Sequence, residues 1–160
     1  MLAKTGVPAR EQLELIQPPA GHQGPVAVIE CFQEIPCNPC SEACTRGAIA
    51  PFTDINNPPV LIRENCNGCG NCMFRCPGLA IFVVDESYSD TETLVKIPYE
   101  YLPLPQEGIT VSALDREGKT VGKARVLKVQ QTKAMDRTAL IWLAVPKELG
   151  MTVRNIKVER

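Results

Sequence analysis

The sequence predicts an α+β protein in two unequal parts: a compact cysteine-rich unit with an internal pseudo-two-fold repeat, then a small antiparallel, barrel-like β domain. Three observations predict it. All eight cysteines lie between residues 31 and 76. The chain matches itself when shifted by 32 positions, which lays Cys37, Cys40 and Cys44 on Cys69, Cys72 and Cys76, and Ala48-Ile49 on Ala80-Ile81. Beyond residue 94 there is no cysteine, only runs rich in Val, Ile and Thr separated by turn signals.

Taken in order, residues 1–24 read as a helical extension, with a helix opening near Pro8, closing before Pro18 and followed by the loop "AGHQG". His22, the only histidine, reads as a surface loop residue because no cysteine stands near it in sequence. Residues 25–84 form the cysteine unit. In it "PVAVIE" (25–30) and "PVLIR" (59–63) read as strands leading into cysteine loops, while "GAIAPF" and "LAIFVV" read as their partners, giving a pair of small sheets. Gly68 and Gly70 suit a loop whose backbone must approach a bound group closely, and Pro77 ends the helical turn before it.

Residues 85–93, "DESYSDTET", hold four acids and no base and read as an acidic linker. Residues 94–160 read as the β domain, with strands at "ITVSALD", "KTVGKARVLKVQ", "TALIWLAVP" and "MTVRNIKV". The apolar alternation changes phase between Val126 and Leu127, which predicts a bulge or barrel corner. Trp142, inside an all-apolar run, reads as core.

Composition narrows the function. Seventeen Lys and Arg against eighteen Asp and Glu give a net charge of −1, with no overall basic excess to attract nucleic acid or an anionic membrane. The charge is segregated, however: residues 25–84 hold three bases against five acids, and residues 94–160 twelve against seven. The basic tail and the extended "VKIPYEYLPLPQEG" segment therefore read as a docking module, the plain alternative being a solvated face. No apolar run is long enough for a signal peptide or a membrane span, so a cytoplasmic protein is expected. In that compartment clustered cysteines are metal ligands more often than disulfides. There is no catalytic triad, phosphate loop or nucleotide fingerprint, and no catalytic residue is assigned.

The second cysteine group, Cys66, Cys69, Cys72 and Cys76 before Pro77, is C-x2-C-x2-C-x3-C-P; the first, Cys31, Cys37, Cys40 and Cys44, keeps the later gaps but widens the first to five residues. Over residues 25–84 this resembles the bacterial-type dicluster ferredoxins, whose fold would be ferredoxin-like. The resemblance implies two 4Fe-4S clusters with crossed ligation: Cys31, Cys37, Cys40 and Cys76 on one, Cys66, Cys69, Cys72 and Cys44 on the other. Zinc sites would more often pair two separated C-x2-C knuckles. Cys31, at the odd gap, could instead be a buried structural thiol, but the strand-like "VAVIEC" delivers it to the first motif.

Together "VAVIECFQEIPCNPC" and "KAMDRTALIWLAVPKEL" resemble the small iron-sulfur subunit of FAD-dependent amino-acid and amine dehydrogenases related to proline dehydrogenase and sarcosine oxidase. That resemblance implies FAD or FMN on flavoprotein partner subunits, and a chain that is no enzyme alone but passes single electrons to an external acceptor. The alternatives are a free-standing ferredoxin and a cluster-containing regulatory or scaffold protein.

Overall fold

The computed structural model describes residues 2–159. Its seven described strands are β1 (Val26–Ile29), β2 (Ile81–Asp85), β3 (Glu92–Tyr99), β4 (Thr110–Leu114), β5 (Thr120–Gln130), β6 (Ala139–Pro146) and β7 (Asn155–Lys157). They form one open sheet in the order β1-β2-β3-β6-β5-β4-β7, antiparallel at every pairing. This corrects the expected ferredoxin-like dicluster unit with a separate barrel. The strands of the cysteine region and those of the tail belong to the same sheet.

The reason lies in residues 85–93, which close a hairpin between β2 and β3. The Asp85 carboxylate accepts from the backbone N–H of Ser87 at 2.9 Å and from its hydroxyl at 2.6 Å. The Ser89 hydroxyl oxygen accepts from Glu92 N–H at 2.9 Å, and the Lys147 ammonium donates to the carbonyls of Glu86 and Ser89. Short polar side chains that satisfy nearby backbone groups make a tight turn, and here Asp85 and Ser89 do that. The first five residues of the segment read from sequence as extended, 95–99, lie in β3, which pairs along its whole length with β6. Its pairing with β2 stops at Lys96, so Pro98 lies beyond that ladder and breaks none of it.

Strand alternation divides the apolar side chains between two cores. Val95, Ile97, Tyr99, Ile141, Leu143 and Val145 pack on one face with side chains of β4, β5 and β7. On the other face Ala27, Ile29, Ile81, Val83 and Leu140 meet Met73, Met135 and the cysteines.

Four short helices are described: α1 (Leu2–Thr5), α2 (Arg10–Ile16), α3 (Pro39–Ala43) and α4 (Asn71–Arg75). α2 lies between Pro8 and Pro18. α3 and α4 pack together under the second core. The outer strands of the repeat, β1 and β2, pair with each other. The inner pair is reduced to one bridge, Ile49 with Leu61, flanked by the Ala50 N–H to Val60 and Ile62 N–H to Ala48 bonds. Pro51, Pro58 and Pro59 crowd that pair, and proline supplies no N–H to extend a ladder. The expected second small sheet is therefore absent among the described residues. The bulge is present: the register passes from Val126 opposite Leu143 to Lys128 opposite Trp142, leaving Leu127 as the extra residue. No described helix is long and apolar enough to cross a membrane.

Candidate functional site

The cysteines line two small cavities of similar size. Cys44, Cys66, Cys69 and Cys72 face the first. Cys31, Cys37, Cys40 and Cys76 face the second. Local structure explains the sorting. Cys66 follows a 3-10 turn at Arg63–Asn65, Cys69 sits on the loop beyond it and Cys72 on α4. Cys31 follows β1, Cys37 precedes α3 and Cys40 lies on it. The last cysteine of each group caps its own helix, and there it turns toward the other cavity: Cys44 ends α3 and Cys76 ends α4.

Backbone N–H groups point at several of the sulfurs. Cys44 Sγ accepts from Ala48 at 3.2 Å, and Cys76 Sγ accepts from Ala80 at 3.4 Å, the same contact in each half of the repeat. Cys66 Sγ accepts from Ala27 and Gly68, both at 3.4 Å. Burial pushes the Cys40 thiol up to about 11 and the Cys72 thiol up to about 12, and raises Cys31 as well, with neighbouring cysteines adding to all three. At Cys44 burial also pushes upward, but the N–H groups of residues 46–49 outweigh it and hold the thiol below its ordinary value. All eight cysteines are free.

Among the described residues, no group of three or more His, Cys, Asp or Glu side chains is placed to hold a metal ion. That finding overturns the two 4Fe-4S clusters, the dicluster-ferredoxin resemblance and the metal-binding role. It also removes the basis for an iron-sulfur electron-transfer subunit, whether complexed or free-standing. The thiols line the walls of the two cavities, and burial raises the Cys40 and Cys72 thiols further above neutral pH.

The loop glycines line the first cavity and are also packed closely from behind. Gly68 and Gly70 have φ of +68° and +88°, which favours glycine, but what presses on them is protein. A Cβ at Gly68 would stand 2.6 Å from Pro25 Cβ, and one at Gly70 2.8 Å from Leu140 Cδ1.

Two groups beside the cavities carry no signal in the spacing of the sequence. Lys96, on the central strand β3, is 6% exposed, and its ammonium donates to the Gly68 carbonyl at 2.8 Å, within the loop between Cys66 and Cys69. The same ammonium lies 3.9 Å from the Trp142 ring centroid, and Lys128 lies 4.8 Å from it. Burial lowers the Lys96 pKa. Trp142 is thus half-buried between two cations, with its Nε1–H donating to Gln130 at 3.1 Å. Next to Cys31, the Glu30 carboxylate accepts from Arg116 Nε at 2.9 Å and from Arg154 Nε at 2.7 Å. His22 lines neither cysteine cavity.

Residues 59–82 match the family model described as 4Fe-4S binding domain. The match covers Cys66, Cys69, Cys72 and Cys76 and leaves the first cysteine group outside. No curated protein and no solved structure matches the chain.

Proposed function

We propose that the chain is a two-site binding protein in which each cavity takes one small thiol-reactive group at its four cysteines. The first site uses Cys44, Cys66, Cys69 and Cys72; the second uses Cys31, Cys37, Cys40 and Cys76. The observation that carries this reading is the sorting of every cysteine in the chain, all of them free, into two sets of four around two cavities of similar size. Free thiols serving only as small apolar filling have no reason to gather this way. A thiol is a nucleophile once it ionises. The N–H groups aimed at Cys44, Cys66 and Cys76 suit sulfurs that become anionic on binding. The segment matched at 59–82 carries four of the eight cysteines and supports reading them as binding groups.

The test is thiol mapping on full-length protein isolated from its native source without oxygen. Alkylation before and after denaturation, read cysteine by cysteine by mass spectrometry, is expected to show protection in two sets. Cys69 is the diagnostic position because it is exposed, so burial alone does not shield it. In Cys69→Ser, Cys44 and Cys66 become reactive while Cys31, Cys37 and Cys76 stay protected. Native protein whose Cys69 reacts as fast as in the denatured chain rejects the proposal, as does protection that ignores the two sets.

A further inference from the structure

The bulge at Leu127 decides which way the cations of β5 face. Without it, strict alternation would place Lys128 on the opposite face from Lys123 and Arg125. With it, Arg125 stands opposite Ala144 and Lys128 opposite Trp142, two positions of β6 that share a face. Lys123, Arg125 and Lys128 are all exposed on β5. Arg125 is paired with Glu92 at 2.8 Å, whereas neither Lys123 nor Lys128 has an ion-pair partner among the described residues. The row continues inward across the sheet from Lys128 to Trp142 to Lys96, and Lys96 holds the Gly68 carbonyl in the loop of the first cysteine site. Cys69, the one exposed cysteine, is on that loop.

We infer that this face, with Trp142 at its centre and Lys123 and Lys128 at its rim, is a docking surface for an acidic protein that approaches over the Cys66–Cys72 site. Complementary charge favours such a partner: Lys123 and Lys128 are exposed at the rim with no ion-pair partner among the described residues. An ordered tryptophan framed by cations is the kind of side chain that anchors interfaces. Only one of the two sites is served, because Lys96 touches the loop of the first site and not the second. The docking surface stands without the two-site reading; the statement that it serves the first site rests on it.

The probe is poly-L-glutamate added to the full-length protein and followed by the fluorescence of Trp142, the only tryptophan. Binding is expected to perturb that emission and to weaken as salt rises. The exposed-surface variant Lys123→Gln/Lys128→Gln should lose about tenfold in affinity, while Lys4→Gln, on α1 at the end of the molecule that carries Cys31 and Cys37, should lose none. Equal binding by the double variant overturns the inference, as does tighter binding of duplex DNA or of phosphatidylserine vesicles. Bound poly-L-glutamate should also slow amide hydrogen exchange in residues 66–72 and leave residues 31–37 unaffected. Equal effects on both loops would leave the docking surface standing and refute its assignment to the first site.

Discussion

The Glu30 side chain is 8% exposed and bonded to two guanidinium groups. Burial opposes its ionisation, but Arg116 and Arg154 outweigh that and hold the carboxyl below its ordinary value. A carboxylate depressed in this way stabilises the fold fully above its unfolded value near 4.5, and the stabilisation is lost as pH falls through the lower folded value. Glu30→Gln leaves two cations without their carboxylate. It is expected to cost about 3–5 kcal/mol at neutral pH in urea unfolding, and to flatten the acid limb of the stability profile; an unchanged profile contradicts the assignment. Gly68→Ala sets a Cβ against Pro25 at positive φ, and a loss of about 1–3 kcal/mol is expected from the same measurement. Neither effect was legible from the sequence. The cysteine groups were visible because each is local, spanning a loop and a short helix. Glu30, Lys96 and the neighbours of Gly68 acquire their roles from residues that only the completed sheet brings near.

Elements divide the same way. The strands of the tail and the bulge at Leu127 were readable from composition and alternation, since both are properties of a few consecutive residues. β3 was not, because Pro98 and the proline-rich residues after it disguise a strand whose central place comes from pairing with β6. "PVLIR" failed in the opposite sense, reading as a strand and forming a single bridge. The pairing of β2 with β3 gives a further prediction. Truncation after Asp90 leaves only β1 and β2 of the sheet and strips Ile81 and Val83 of Leu140 and Met135. A two-stranded ribbon is marginal in water, so the truncated chain is expected to show no cooperative thermal transition by circular dichroism. A cooperative transition would show that the cysteine region folds alone.

Across the whole molecule, the abrupt change of composition after residue 84 suggested a boundary, yet the sheet crosses it without interruption. Composition reports what a segment is made of; hydrogen-bond registers decide what it is joined to. Glu30 shows what that joining means for a chain made from one end. It leaves the ribosome 86 residues ahead of Arg116 and 124 ahead of Arg154. For that interval its carboxylate has water as its partner, and β1, beside the second site, lacks the clasp that fixes its end. The N-terminal half is therefore clasped at this point only after Arg154 has been made.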